Sequence, residues 1–210
     1  MKVESHGISL KGTVHPKEDE ILVNDEKSLY AVADGVTLSS RGSGGVASQL
    51  AIYYLSKFFN YNIKETLEKL NNEICELRVT DKSIGETTLT SAHIKGHRID
   101  VASVGDSSAF IASPSAIRKI TQDDSFNFGL TQVIGARGLV VHSYNENLQR
   151  NDCVILATDG ITSVLGPHEM LGIAANLRGS KQICEAILDK VNSTPKDYDD
   201  DKSIIVIEIS

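Results

Sequence analysis

Apolar positions along this chain recur in two rhythms, and the changes between them predict its elements. Leu29 to Ala33 (LYAVA) is a continuous apolar run closed by Asp34-Gly35, which suits a strand buried on both faces. Before it, residues 5–14 read as a first strand, and Pro16 and the surrounding charges make His15 to Glu20 a turn. Glu20 to Asn24 and Ser28 to Ala33 then form a hairpin joined by Asn24 to Lys27. Gly45 to Phe59 carries a helical pattern. So does the next stretch, where Ile63, Leu67, Leu70, Ile74 and Leu77 recur at steps of four and three. From Thr87 the period falls to two: residues 87–95, 97–105 and 108–113 are short strands, with a turn at Lys95-Gly96-His97, and 116–120 is another. Thr121 to Gly138 loses the rhythm and reads as a loop with one short helix. Leu139 to Tyr144 and Asp152 to Thr158 are strands, Pro167 to Asn176 and Ser180 to Asn192 helices, and Ser203 to Ile209 the last strand. Hairpins grouped around two central helices, with no βαβ series, predict an α+β fold of antiparallel sheets packed face to face with helices outside.

Composition narrows the class without changing that picture. With 210 residues, 40% apolar and 23% charged, the chain is long enough for a real core and reads as a single domain over 1–210. Its net charge of −7 and lack of a basic block exclude a nucleic-acid footprint. No apolar run approaches the roughly 18 residues of a membrane span, so no membrane partner is expected. The N-terminus lacks the apolar core of a signal peptide. Cys75, Cys153 and Cys184 are odd in number, far apart and in no CxxC pair, which fits a reducing, cytoplasmic setting.

The candidate chemistry lies in acidic residues. Gly42 to Ala47 (GSGGVA) has the spacing of a dinucleotide fingerprint, but Asp34 to Arg41 separates it from its strand and no βαβ unit follows, so it reads as loop and cap glycines. His93 and His97 flank a hairpin turn and read as surface histidines. Four aspartates, by contrast, cap apolar strands: Asp34 ends LYAVAD, Asp106 ends IDVASVGD, Asp159 ends DCVILATD, and Asp200 stands just before SIIVIEI. Oxygen donors on separate strand ends are what Mg²⁺ or Mn²⁺ requires, while turn-forming Asp-Gly pairs are the competing explanation.

ADGVTLSSRGSGGVAS, GETTLTSAHIKGHRIDVASVGDSSAFI, LTQVIGA, DCVILATDGITSVL and DDKSIIVIEI follow one another over nearly the whole chain, from Lys11 to Ile209. In order and spacing they resemble the successive motifs of the metal-dependent serine/threonine protein phosphatases of the type 2C (PPM) family, in a short prokaryotic-like form. The resemblance implies a four-layer αββα sandwich, two antiparallel sheets flanked by helices, with the metal site at one end. It implies Asp19, from Lys17-Glu18-Asp19, as a ligand; Asp34 as the carboxylate bridging two core Mn²⁺ or Mg²⁺ ions; and the Gly35 carbonyl beside it. Asp159 and Asp200 are implied as further ligands, and Asp106 as a ligand of a third, weaker ion. The implied reaction hydrolyses phosphoserine or phosphothreonine by direct attack of a metal-bridging hydroxide. Phosphorylated proteins are the implied substrates, and a serine/threonine kinase or its targets the implied partners.

The chain departs from the family pattern at the phosphate-binding positions. Val14 stands where an arginine is usual, Val36 where some members have a histidine, and Ser108 where GDSR has its arginine. DGxGG becomes DGVTL, and the flap between Asp124 and Arg150 is short. The candidates for holding phosphate are therefore His15, Lys17, Arg41 and Arg137, with His15, beside the vacant position, the expected catalytic partner of Asp34. A non-catalytic regulatory or binding domain on the same fold, and a hydrolase of small phosphoesters, are the alternative readings.

Overall fold

The computed structural model describes residues 2–37, 41–127 and 129–210. Its strands are β1 (Val3–Leu10), β2 (Glu20–Asn24), β3 (Leu29–Ala33), β4 (Leu89–Lys95), β5 (Arg98–Val104), β6 (Ser108–Ala112), β7 (Ile117–Lys119), β8 (Ser125–Phe126), β9 (Gly129–Leu130), β10 (His142–Asn147), β11 (Cys153–Ala157) and β12 (Lys202–Ile209). The helices are α1 (Gly44–Phe58), α2 (Ile63–Thr80), α3 (Asp159–Thr162), α4 (Pro167–Asn176) and α5 (Ser180–Ser193).

Two five-stranded antiparallel sheets are built from these, in the orders β1-β12-β11-β6-β7 and β10-β5-β4-β3-β2. The continuous apolar runs follow from burial on both faces. In β3, Leu29, Ala31 and Ala33 point to one side and join the core under α1 and α2. Tyr30 and Val32 point to the other and meet Val154, Leu156, Ile205 and Ile207 between the sheets. The opposite face of the first sheet, with Ile155, Ile204 and Val206, packs on Met170, Ile183 and Ile187 of α4 and α5. Three cores thus separate four layers: a helix pair, two sheets and a second helix pair, αββα. The helix period read on α2 places Leu67, Leu70 and Ile74 fully inside, each stabilising the fold by about 2 kcal/mol.

Some expectations are corrected. The first strand covers Val3–Leu10, and residues 11–19 are irregular because their backbone is held by side chains described below. The stretch 121–138 has no helix among its described residues; β8 and β9 form a small two-stranded ribbon instead. The strand expected at Leu139–Tyr144 lies three residues later. It is the edge strand β10, whose polar residues are matched across to β5 and to Arg118, while Val140 is left exposed. α3 begins at Asp159 itself, and four residues are too few for a helical period to show in the sequence. His93 is buried, edge-on to the rings of Phe59 and Tyr61, whereas His97 is exposed.

Candidate metal centre

Antiparallel pairing explains why distant carboxylates meet. In one sheet Ala33 at the end of β3 is opposite Glu20 at the start of β2, and Leu89 is opposite Val104. In the other, Ala157 is opposite both Ser108 and Ile204. The residues just beyond these pairs, Asp19, Asp34, Asp106, Asp159 and Asp200, therefore lie at the same rim of the sandwich.

The rim is tied together through backbone. The Glu18 carbonyl accepts from the Gly35 N–H (3.2 Å) and the Ser48 hydroxyl (2.5 Å), joining the loop before β2 to the end of β3 and to α1. Asp34 is held on its main chain: its N–H donates to Thr88 Oγ1 (3.1 Å), and its carbonyl accepts from the Thr88 N–H (2.8 Å) and the Thr87 hydroxyl (2.8 Å). Thr88 Oγ1 also meets Ser107 Oγ at 2.8 Å, connecting Asp34 to the turn that carries Asp106. The glycines of GSGG have a steric task. A Cβ on Gly44 would stand 2.4 Å from the Gly35 carbonyl carbon, so only glycine lets the start of α1 close on the Asp34-Gly35 turn. Ser43 caps that helix.

Asp201, not singled out from the sequence, is the buried hub of this arrangement. Its Oδ1 accepts from the Gly12 N–H (2.7 Å), and its Oδ2 from those of Glu18 (2.6 Å) and Asp19 (3.2 Å). The acidic run before β12 that contains it reads, taken alone, as a solvated loop. Asp124 is a second such anchor. It accepts from the Gly105 N–H (3.0 Å) and Gln132 Nε2 (2.8 Å) and pairs with His142 Nε2 (2.8 Å), tying the Asp106 turn to the following loop and to β10. A third is the buried Arg78. Its guanidinium donates to the carbonyls of Ile84 and Gly135 and pairs with Glu86 at 2.8 Å.

Crowding of carboxylates shows in their proton affinities. Burial first, then the charges of Asp201 and Asp159, push Asp19 up to about 7. Asp34 is raised well above the usual range by burial and by Asp19 and Asp159, and hydrogen-bonds to Asp159. Burial also raises Asp159. Burial, with Asp159, takes Asp106 to about 6.

These oxygens fit a hard cation. Asp19 Oδ1 and Asp159 Oδ1 are buried without any hydrogen-bond partner, a costly state for a carboxylate unless a positive charge balances it, whereas Glu18 Oε2, equally without a hydrogen bond, has His15 Nδ1 at 3.7 Å. The donor set is all oxygen, the preference of Mg²⁺ and Mn²⁺. Among the described residues no three acidic, histidine or cysteine side chains close into a ready cage. The carboxylates are instead partly occupied with each other and with neighbours: Asp34 with Asp159, Asp19 with the Thr158 hydroxyl (2.9 Å), and Asp200 with His15.

The cationic candidates are distributed unequally. His15 is at the rim, with Nε2 2.6 Å from Asp200 Oδ1 and Nδ1 2.7 Å from the Pro16 carbonyl. Desolvation lowers its proton affinity, but the bonds to Pro16 and Asp200 and the charges of Asp200 and Asp201 outweigh this, and the net shift is upward. Lys17 is exposed. Arg41 turns to the end of α2, where Nη2 donates to the Arg78 carbonyl at 2.6 Å. Arg137 is exposed on the α2 side, close enough to Cys75 for its charge to act on the thiol. Val14 is half exposed, and Val36 donates its N–H to the Glu86 carbonyl. Leu38 of DGVTL lies outside the described residues.

Comparison with known proteins agrees with this architecture. Residues 45–210 match the family described as Stage II sporulation protein E (SpoIIE). The serine/threonine phosphatase stp of Listeria monocytogenes is 24% identical over 204 residues, covering 80% of each chain. The structure of serine/threonine phosphatase Stp1 from Staphylococcus aureus superposes with a TM-score of 0.86 at 18% identity, covering 100% of this chain and 96% of that one. The catalytic domain of serine threonine protein phosphatase PstP, solved in complex with two manganese ions, gives 0.84 at 19% identity over 99% of each chain. With four layers in place, acidic strand ends gathered at one rim, and the family match spanning most of its length, the chain belongs to the SpoIIE family of type 2C (PPM) phosphatase-like domains.

Proposed function

We propose that this chain is a Mg²⁺- or Mn²⁺-dependent protein serine/threonine phosphatase, acting on phosphoproteins made by a serine/threonine kinase in a reducing, cytoplasmic setting. The observation that carries the reading is the pair of buried, unpartnered oxygens, Asp19 Oδ1 and Asp159 Oδ1, beside Asp34 at one rim. Asp19, Asp34, the Gly35 carbonyl, Asp159 and Asp200 would hold two core ions, and Asp106 a third. When bound, such ions acidify water and neutralise phosphoryl charge.

The protein's own contribution is to hold and orient. Asp34, fixed at its backbone by Thr87 and Thr88, turns its carboxylate to that of Asp159. His15 already meets a carboxylate of the site. Its Nδ1–H donates to Pro16, so only a proton on Nε2 or on Asp200 makes the 2.6 Å contact favourable. As a cation released from Asp200, it would face a phosphoryl oxygen. Arg41 and Arg137 would have to leave their present positions to do the same.

The direct test is phosphate release from a phosphothreonine peptide with and without Mn²⁺. Activity should depend on the metal, and Asp34→Asn should abolish it and weaken Mn²⁺ binding in calorimetry. Tight Mn²⁺ binding without release from phosphopeptides would favour a non-catalytic domain. Release from small phosphoesters alone would favour the metabolite hydrolase.

A further inference from the structure

Among the described residues, one neutral donor lies next to His15 at the rim: the hydroxyl of Tyr198. Tyr198 belongs to the connection between α5 and β12, which is clamped at the next residue. Asp199 takes Lys202 Nζ at 2.6 Å and Lys196 Nζ at 2.9 Å, and its carbonyl accepts from the Thr13 N–H at 3.0 Å. Held this way, the Tyr198 ring stands 6.4 Å from the His15 ring, tilted by 39°. It is 54% exposed and therefore open to a ligand at the rim. Its hydroxyl makes no hydrogen bond among the described residues. His15 in turn meets Asp200 Oδ1 through Nε2 at 2.6 Å, which puts the Tyr198 ring beside the acidic rim.

We propose that Tyr198 is a substrate-binding residue whose hydroxyl donates a hydrogen bond to a non-bridging phosphoryl oxygen, forming with His15 the wall that an arginine at position 14 would otherwise supply. The inference rests on the phosphatase reading and deepens it. A phenol suits the location. Its hydroxyl can donate one hydrogen bond, and an ordinary phenol keeps its proton up to about pH 10. Being neutral, it does not compete with metal ions for the carboxylates, as a lysine at this position would. The ion pairs and backbone bond of Asp199 hold the main chain next to Tyr198 in place.

Tyr198→Phe keeps the ring and removes the donor. A hydrogen bond to a charged group contributes about 1.5–3 kcal/mol, so the Michaelis constant for both a phosphothreonine peptide and p-nitrophenyl phosphate should rise about tenfold or more. kcat should change less, since the bond is made in the ground state as well. Binding of inorganic phosphate to the Mn²⁺-loaded protein, followed by calorimetry, should weaken by the same factor, and this readout needs no turnover. If the parent protein binds phosphate and Tyr198→Phe binds it equally well, the proposal is overturned while the phosphatase reading stands. If Tyr198→Phe behaves like the parent and only Tyr198→Ala loses affinity, for the peptide alone, the ring is a peptide platform and the hydroxyl assignment is wrong. If the parent binds phosphate without turnover and Tyr198→Phe binds it tenfold more weakly, the proposal holds and the phosphatase reading fails. If the loaded parent neither binds phosphate nor releases it from the peptide, both are overturned; if it turns over the peptide and Tyr198→Phe has the same Michaelis constant, the proposal alone is.

Discussion

At the scale of single residues, neighbouring aspartates in one acidic run have opposite tasks. Asp200 turns toward His15 at the rim, whereas both oxygens of Asp201 are committed to three backbone N–H groups of the loop before β2. Asp201 is thus a structural acceptor, although its position in DDD gives no hint of it. Asp201→Ala would leave three N–H groups without a partner, each worth about 1–3 kcal/mol when buried. Urea unfolding should show a loss of about 3 kcal/mol or more, and Asp201→Asn, which keeps one acceptor oxygen, a smaller loss. An unchanged midpoint for Asp201→Ala would mean that water replaces the carboxylate and that the hub is not one.

Between elements, turns do the connecting. Gly105 has φ of +97°, and a Cβ there would meet Thr88 Cβ at 2.7 Å, so the β5–β6 turn can pass beside Thr88 only as glycine. Asp124 then fastens that turn to Gln132 and His142, and Gln132 Oε1 accepts from the Val140 N–H at 2.6 Å. Asp124→Ala should release this connection while leaving the main cores intact. Hydrogen exchange at Gly105 and Val140 should quicken about tenfold or more, the signature of losing more than about 1 kcal/mol of local stability. Exchange in β11 and β12 should stay as it was. Uniform acceleration across the sheets would instead place Asp124 in the global fold.

For the whole molecule, gathering carboxylates at one rim has a stability consequence with a definite sign. Asp19 and Asp106, at about 7 and about 6, sit above the ordinary aspartate value of about 3.9. Between about pH 4 and pH 7 the folded chain therefore binds more protons than the unfolded one, and stability falls as pH rises through that window. Every tenfold difference in proton affinity between the folded and unfolded chain is worth about 1.4 kcal/mol. In EDTA the melting temperature should decline from about pH 5 to about pH 8. Saturating Mn²⁺ should raise it most at the alkaline end, because the ion takes over from the protons. A metal-free melting temperature that is flat or rising over this range would contradict the crowding. So would Mn²⁺ stabilisation that does not grow with pH.

Periodicity alone determined much of this protein. LYAVA, CVILA and SIIVI had to be strands covered on both faces, and the steps of four and three in α2 had to face a core, because burial of apolar area dominates wherever runs are long and regular. The strand-end aspartates were legible for the related reason that a carboxylate ends an apolar run abruptly. Where side chains are polar and the partner is distant, local pattern carried no such information. The apolar Leu139-Val140-Val141 pointed to a strand, yet cross-strand register placed it at His142–Asn147. His93 looked like a surface residue until Phe59 and Tyr61 were folded over it. Asp201, Asp124 and Arg78 became anchors only through acceptors and donors between 6 and 189 positions away along the chain. The sequence determined which residues could serve a cation site. The tertiary structure decided which of them face the rim, because hydrogen bonds across that distance exist only once the two sheets have closed.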